Sequence, residues 1–407
     1  MVDTCKGTIV EINKASACLL GLLNGKFLFS ELKSTLIEKY QIESDSYFEN
    51  FILKHKKIIG LQKYQSSIDE IVFQIDNGFS QYGLPLKNCY PDKLFLYLTS
   101  KCNMSCVYCI NKNKRFRGYL PQKKIEDIIL DGSKNGLLYI IFTGGEPTLD
   151  VNFSAYIEMC MQNRIMPYFS TNGLLLNEKL IVKLKKTGIP LFQISLDAST
   201  DNTLYKICGI KGIATIKRNI CLSKKNGLNF SIRITVTKDN LNEIGLILDF
   251  CERNEIYDIS IVPAHKYNKT LTYSDILKIK SLISKRKYPL KIKLRISYEK
   301  QDFNNNLAPC EGLIDSATIL ANGDVVVCSE LYTLPYGNIF EKSLKKIWVS
   351  EKAERLRERL ISGRNHECSN CSQFENCRGG CPAIKNQSNI DFLKKDPRYN
   401  FKERSLL

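Results

Sequence analysis

The sequence predicts an α/β protein with a parallel sheet, a small helical domain before it and a cysteine-rich extension after it. Short apolar runs alternate with amphipathic stretches through the middle of the 407-residue chain, and such alternation gives parallel strands with helices outside. One strand and three helical patterns precede this region, and closely spaced cysteines follow it. A chain of this length is long enough for roughly two or three domains with substantial cores.

The N-terminal elements are predicted to form a separate domain over residues 1–62. Gly7–Ile12 is predicted to be its strand, and the first helix covers Ala15–Leu23, where an Asn-Gly turn signal ends it. A second helix follows Ser30, and the third begins at a capping box that starts with Ser46. A linker over 63–92 leads to the next domain.

The central domain, residues 93–290, is predicted to contain six strands separated by helices such as Asn177–Thr187 and Leu241–Asn254. Active sites of parallel barrels lie at the carboxyl ends of their strands, so residues that follow a strand are candidates for function. The predicted strands are Leu94–Thr99, Leu138–Thr143, Pro167–Thr171, Leu191–Leu196, Phe230–Val236 and Asp258–Val262.

Three cysteines follow the first strand in a C-x3-C-x2-C spacing, at Cys102, Cys106 and Cys109. Three thiolates can bind three irons of a cubane cluster and leave the fourth iron open, whereas ordinary electron-transfer [4Fe–4S] clusters take four cysteines. A small molecule can bind and react at an open iron. The alternatives are a disulfide framework or a zinc site, but zinc sites usually show paired C-x2–4-C units that give four ligands.

A second motif, Gly144-Gly145-Glu146-Pro147, follows the second predicted strand. Glycines have no β-carbon and let the backbone approach a ligand closely, and the Glu146 carboxylate can accept hydrogen bonds from an ammonium group. Alone, the motif is a turn signal. Here, however, the motif follows the strand after the one that precedes the cysteine triad. The two motifs therefore lie at the ends of neighbouring strands, which supports a single site formed by both.

The cysteine triad, the aromatic Tyr108 before its last cysteine and the Gly-Gly-Glu-Pro motif resemble those of radical S-adenosylmethionine (SAM) enzymes. The resemblance implies a partial (β/α)6 TIM-type barrel in which SAM chelates the open iron of a [4Fe–4S] cluster. One electron then breaks a carbon–sulfur bond, and the released 5′-deoxyadenosyl radical abstracts hydrogen from unactivated carbon. The implied cluster ligands are Cys102, Cys106 and Cys109, and the implied SAM-binding residues are Tyr108, Gly144, Gly145, Glu146, Pro147, Asn172, Ser195, Asp197 and Arg233.

One stretch departs from the family pattern. After its fourth strand the family often continues with Arg-Gly-x-x-Gly, whereas this chain has Cys208-Gly209-Ile-Lys-Gly212. The glycines are kept and the arginine is replaced. The contact that the arginine makes in other members is therefore in doubt here.

The C-terminal region, 291–407, resembles the SPASM extension of radical SAM enzymes, which holds auxiliary [4Fe–4S] clusters. Its cysteines are Cys310, Cys328 and a C-x2-C-x5-C-x3-C run. The family pattern ends in a seventh cysteine, where this chain has Asp396-Pro-Arg-Tyr399, so the resemblance implies one or two auxiliary clusters. A zinc ribbon is the alternative. Carried over from the family, the ligands are Cys310, Cys328 and Cys381 for the first cluster, and Cys368, Cys371 and Cys377 for the second.

The N-terminal elements, with Asn24-Gly25-Lys-Phe27, resemble the winged-helix domain that binds leader peptides of ribosomally made peptides. The three resemblances together imply a peptide-modifying enzyme whose leader docks as an added strand near Gly7–Ile12. The implied product is a thioether, and a carbon–carbon crosslink is the second choice. The implied partners are a precursor peptide with its leader and an electron donor such as flavodoxin or ferredoxin. Two alternatives stay open: a protein-modifying enzyme like anaerobic sulfatase-maturing enzymes, and an iron–sulfur winged-helix transcription regulator.

The composition of the chain predicts the compartment and the kinds of partner. No apolar run reaches the roughly eighteen residues of a membrane helix, and the first residues lack a secretory signal, so we expect a cytoplasmic protein without a membrane partner. In a reducing compartment, 16 cysteines clustered at metal-ligand spacings favour metal over disulfides. The net charge of +17 suits an acidic peptide. Because no compact basic recognition helix is present, no nucleic acid is expected to bind.

Overall fold

The structure is a computed structural model that describes residues 2–3, 8–9, 89–109, 111, 117–264, 271–286, 291–294, 312–362 and 383. The chain divides into two compact units, residues 1–88 and 89–407. In the first unit, Val2–Asp3 and Thr8–Ile9 pair as short antiparallel strands. The second of these lies inside the predicted strand, and the three predicted helices lie outside the described residues.

The second unit is built on a sheet whose first seven strands, β1 to β7, are parallel and neighbour one another in chain order. This confirms the predicted α/β fold with its parallel sheet, and all six predicted strands are present. The strands are β1 Lys93–Thr99, β2 Tyr139–Gly144, β3 Met166–Thr171, β4 Phe192–Ser195, β5 Phe230–Val236, β6 Asp258–Pro263 and β7 Lys291–Leu294.

β7 was not predicted: its alternation of lysine and apolar residues fits a half-buried strand, but it extends over only four residues, the shortest run that carries this pattern. It pairs in parallel with β6 and adds a seventh strand to the predicted six. On the other edge of the sheet, β8 (Ser316–Ile319) lies parallel to β1, followed by the antiparallel β9 (Asp324–Val326) and β10 (Gly337–Asn338).

Helices follow the strands as the periodicity predicts. The described helices of the sheet region are α1 Gln122–Lys134, α2 Phe153–Gln162, α3 Glu178–Thr187, α4 Asp201–Cys208, α5 Ile213–Lys225, α6 Ile244–Arg253 and α7 Tyr273–Ser284, and α8 Leu344–Trp348 and α9 Glu351–Ser362 come after the sheet.

The two helices named from the sequence are both present. Asn177 caps α3 by accepting a hydrogen bond from the Leu180 amide at 3.0 Å, so the prediction of Asn177–Thr187 is confirmed with its first residue as the cap. The predicted helix Leu241–Asn254 begins as a 3-10 turn over Leu241–Glu243 and continues as α6.

The two faces of the sheet differ in chemistry. Leu94, Leu96 and Leu98 of β1 are fully buried in one apolar cluster with residues of the helices. Phenylalanine rings continue this core across the strands: the rings of Phe169 and Phe192 are stacked with centroids 4.7 Å apart. Each such aromatic pair stabilises the fold by about 0.5–1.5 kcal/mol beyond the area it buries. The helix-covered face is thus a continuous apolar core.

The opposite face is polar at its carboxyl end. The strand register aligns Ser195 of β4 with Arg233 of β5 and Ser260 of β6. Arg233 is exposed although its neighbours Ile232 and Ile234 are fully buried on the other face. Among the described residues, no helix is long and apolar enough to cross a membrane.

Candidate active site

The three motif cysteines lie in the loop that follows β1. Cys102 is exposed, Cys106 and Cys109 are half-buried, and all three thiols are free. Although the Cys102 residue is exposed, partial burial of its sulfur is the main reason that the pKa of the thiol rises to about 11. The nearby Glu146, Cys106 and Cys109 contribute to this rise, and a hydrogen bond from the Met104 amide opposes it. The three sulfurs are therefore close enough to interact without being joined.

The three free thiols are suited to bind a cubane cluster. Within the described ranges, no three His, Cys, Asp or Glu residues converge as ligands of one metal ion. A cubane cluster binds each cysteine at a different iron, so its ligands are spread out. Free, separated thiols on one loop meet that requirement.

The glycines of the second motif let the cysteine loop cross the end of β2. A β-carbon on Gly145 would lie 1.8 Å from the Lys101 carbonyl oxygen, and one on Gly144 would lie 2.4 Å from that of Thr99. The Gly145 amide donates to the Thr99 carbonyl at 2.7 Å, and the Glu146 amide donates to the Lys101 carbonyl at 2.9 Å. The sequence predicted that these glycines let the backbone approach a bound small molecule. In the structure, the segment that approaches them is the start of the loop that carries the three motif cysteines.

We expect Gly145→Ala to displace the cysteine loop and strip the triad of iron. The added methyl group overlaps a backbone carbonyl that cannot rotate away, and overpacking of this kind costs about 1–3 kcal/mol or more. Iron content after anaerobic reconstitution measures the effect. The matched control is Gly245→Ala in α6, where the nearest atom lies 3.7 Å from the new β-carbon. Full iron content in the Gly145 variant would contradict this role.

Glu146 is buried and joins the ends of β2 and β3. Its Oε1 accepts hydrogen bonds from the Thr148 hydroxyl at 2.5 Å, the Thr148 amide at 3.2 Å and the Thr171 hydroxyl at 2.7 Å, while Oε2 accepts from the Asn172 amide at 2.8 Å. Burial raises the pKa of the carboxyl, and these donors oppose the shift. Oε2 has one described donor, so it keeps acceptor capacity for the predicted ammonium.

Asn172 connects β3 to the cysteine loop. Its side-chain amide donates to the Asn103 side-chain oxygen at 2.6 Å. Asn111, just after the triad, donates to the Gly144 carbonyl at 2.7 Å. Asn103 and Asn111 were not singled out from the sequence, because asparagine near a turn carries no signal of a long-range contact.

Asp197 anchors the other side of the loop. Its carboxylate accepts hydrogen bonds from the Tyr108 hydroxyl and from the Thr235 amide, the latter at 2.5 Å. Burial raises the pKa of Asp197, and Tyr108, Thr235 and the charge of Arg233 oppose the shift. The predicted SAM-binding residues Tyr108, Asp197 and Arg233 therefore lie in one neighbourhood, with Ser195 in register beside Arg233.

Asn240 supports this neighbourhood and was missed from the sequence. It is fully buried, and its side-chain amide donates to the Asp197 carbonyl at 2.7 Å and to the Thr235 carbonyl at 2.8 Å. It thereby joins the ends of β4 and β5. Its position just before a helix made it indistinguishable from an ordinary cap.

The end of α4 contacts the loop from a further direction. Cys208 is buried there, and its thiol is hydrogen-bonded to the sulfur of Cys106. This bond lowers the pKa of Cys106 and raises that of Cys208. The position that departs from the family pattern is therefore in direct contact with the triad.

Of the predicted auxiliary-cluster ligands, the structure describes Cys328. It follows β9, close to Tyr97 on β1. Burial raises the pKa of Tyr97, a hydrogen bond with Ser329 opposes this, and the nearby thiols of Cys328 and Cys109 raise it further. Tyr97 thus lies near both Cys109 and Cys328. The other predicted ligands, Cys310, Cys368, Cys371, Cys377 and Cys381, lie outside the described residues.

Comparison with known families agrees with this geometry. Residues 96–251 match the Radical SAM superfamily, and residues 310–372 match SPASM, an iron–sulfur cluster-binding domain. The sheet, the open three-cysteine loop and these matches define a SAM-dependent radical enzyme. The chain therefore contains a radical SAM domain over residues 96–251 and a SPASM domain over residues 310–372, and its cofactors are SAM and [4Fe–4S] clusters.

Individual proteins show similarity over most of the chain. The mycofactocin maturase MftC of Mycobacterium ulcerans (strain Agy99) is 25% identical over 321 residues, which cover 74% of this chain and 85% of MftC. Streptococcus suis SuiB bound to precursor peptide SuiA shares the fold with a TM-score of 0.71 at 19% identity, covering 98% of this chain and 95% of SuiB. The anSMEcpe enzyme with bound AdoMet has a TM-score of 0.59 at 19% identity, covering 77% of this chain and 94% of anSMEcpe.

Proposed function

We propose that this radical SAM enzyme modifies a ribosomally synthesised precursor peptide, joining a core residue through a thioether or a carbon–carbon crosslink. The observation that carries the proposal is the extent of the similarity to SuiB, which was crystallised with a precursor peptide and covers 98% of this chain. MftC, a maturase by name, supports the same class of activity.

The residues divide into three tasks. Cys102, Cys106 and Cys109 hold the cluster. When bound, the cluster and SAM supply a one-electron cleavage that yields a hydrogen-abstracting carbon radical. Glu146 would accept a hydrogen bond from the SAM ammonium at Oε2, and the exposed Arg233 would offer a cation to the SAM carboxylate.

The remaining residues fix the loop. Tyr108, Asp197 and Asn172 have their polar groups engaged with other parts of the protein. They therefore hold the loop against the ends of β3, β4 and β5, which keeps the three thiols and the SAM-binding groups in one geometry.

A SPASM domain suits a reaction that must dispose of an electron after hydrogen abstraction. Tyr97 lies near both Cys109 and Cys328, so an auxiliary cluster held by Cys328 would be a neighbour of the reductive site. The reductive cluster also needs an external electron, for which a small acidic redox protein such as flavodoxin or ferredoxin suits the net charge of +17.

The direct test is modification of a precursor. A short cysteine-containing peptide encoded beside this gene, incubated with reconstituted enzyme, SAM and a reductant, should lose the mass of two hydrogens per crosslink. Fragmentation by mass spectrometry locates the joined residues. The competing protein-modifying function predicts instead that a folded protein substrate is converted and that the peptide is not.

We expect anaerobically reconstituted enzyme to hold about twelve irons, because each of three [4Fe–4S] clusters contributes about four. Colorimetric iron and labile-sulfide assays measure this content. About eight irons would mean that the absent seventh SPASM cysteine leaves the second auxiliary site empty. Stoichiometric zinc would contradict auxiliary clusters and favour the zinc-ribbon alternative.

A further inference from the structure

Cys208 lies where the end of α4 meets the cysteine loop. It is 1% exposed. The backbone of the loop is fastened to this helix end, because the Ser105 amide donates to the Cys208 carbonyl at 2.9 Å and the Val107 amide donates to the Ile207 carbonyl at 2.8 Å. These two bonds flank Cys106 in the sequence, so they fix the position of that ligand relative to Cys208.

The next residue makes this contact possible. Gly209 ends α4 in the left-handed conformation, with φ of +73°, and a β-carbon there would lie 2.2 Å from the Ser105 hydroxyl oxygen. A glycine therefore lets the helix end approach the loop and turn away within one residue. The backbone therefore brings residue 208 beside residue 106, and the two cysteine side chains complete the contact between their sulfurs.

The Cys208 sulfur has two hydrogen-bonding neighbours among the described residues, both in the cysteine loop, and the Asp197 carboxylate is also nearby. One is the sulfur of Cys106. The other is the hydroxyl oxygen of Tyr108, 3.8 Å away, whose own hydrogen is donated to Asp197. Since Tyr108 donates elsewhere and an iron-bound Cys106 has no proton, the proton in the Cys106–Cys208 contact belongs to Cys208.

We propose that Cys208 is a positioning residue that donates an S–H hydrogen bond to the Cys106 thiolate and thereby tunes the reductive cluster. Hydrogen bonds to cluster sulfurs are among the determinants of reduction potential, because they draw electron density from the ligand and favour the reduced cluster. A thiol in the place of the usual arginine thus gives this chain its own means of adjusting that cluster.

The effect is measurable as a change in cluster reduction. A typical net hydrogen bond is worth about 0.5–1.5 kcal/mol, and a thiol is a weak donor, so we take the lower part of that range. At a fixed potential, the ratio of reduced to oxidised cluster should fall about threefold when the donor is removed.

The experiment compares Cys208→Ala with Cys208→Ser in an EPR-monitored redox titration, following the signal that changes on addition of SAM. Alanine removes the donor and serine keeps one, so the alanine variant should need a more negative potential for half-reduction while the serine variant stays near wild type. Cys160→Ala, a buried cysteine of α2 outside the site, controls for loss of a thiol. The titration uses no peptide, so its result is independent of the proposed substrate.

Two results would overturn the proposal. An alanine variant that titrates like wild type would mean that the contact does not influence the cluster. Loss of about four irons from both the alanine and the serine variants would mean that the Cys208 sulfur is itself a ligand or a fold determinant, not a donor to Cys106.

Discussion

Replacing Cys102, Cys106 and Cys109 together by alanine is expected to abolish the formation of 5′-deoxyadenosine from SAM. Without thiolates at the end of β1 no cluster can be held, and the remaining SAM-binding groups supply neither an electron nor an iron. Product in the triple variant should fall below detection by liquid chromatography of the quenched reaction. The iron content should fall by about four per chain, and any auxiliary clusters should remain.

The matched control removes three cysteines that the site does not use. Cys89 is exposed, Cys160 is buried in α2 and Cys221 is half-buried in α5, so their replacement by alanine changes the same number of thiols in other environments. This variant should keep SAM cleavage within a small factor of wild type. Undiminished cleavage in the Cys102/Cys106/Cys109 variant would refute the cluster assignment.

The elements of the sheet could be predicted because burial leaves a local pattern. Leu94, Leu96 and Leu98 alternate with residues of the other face, and Phe230–Val236 was predicted with the bounds that the structure has. β7 was missed because its alternation of lysine and apolar residues extends over only four residues. Periodicity thus finds strands that carry much of the core and misses short strands at the edge of the sheet.

The motif residues of the site could be located, but their contacts could not. Glu146 was expected to face SAM, and the structure adds that it joins β2 to β3 through Thr171 and Asn172. The glycine pair was expected to admit a ligand, and its neighbours are the carbonyls of Thr99 and Lys101. Such contacts join residues far apart in the chain, and a single sequence carries no record of which loop crosses which strand.

Cys208 shows the same limit. The sequence shows that Cys208 stands where the family pattern has an arginine, but it does not show what the cysteine contacts. Only the docking of α4 on the loop, through Ser105 and Val107, places the new thiol against Cys106. A departure from a family pattern becomes informative once the fold supplies its neighbour.

Removing the leader from the precursor peptide is expected to lower its modification by about 10²–10⁴-fold at low peptide concentration. A leader bound to the enzyme holds the core at an effective concentration of about millimolar, whereas a free core must bind by its own weak affinity. The measurement is the initial rate of crosslink formation by mass spectrometry, for full precursor and for core alone, with the full-length enzyme. The difference in rate between the core peptide and the full precursor should become smaller as the core peptide concentration approaches about millimolar, because the leader acts only by raising the local concentration of the core.

Deleting residues 1–62 from the enzyme should reproduce this loss with the full precursor, because the predicted docking strand Gly7–Ile12 is removed with them. It should leave peptide-independent SAM cleavage intact, since the cysteine loop and the sheet belong to the other compact unit, 89–407. Combining the two changes gives the discriminating control: a core peptide should be modified equally slowly by both enzyme forms. If the truncated enzyme instead processes the full precursor at the wild-type rate, residues 1–62 do not recognise the leader, and the DNA-binding alternative for that domain gains support. Mobility shifts with promoter DNA from the same locus would then be the next measurement, because an iron–sulfur regulator binds DNA whether or not a peptide is present.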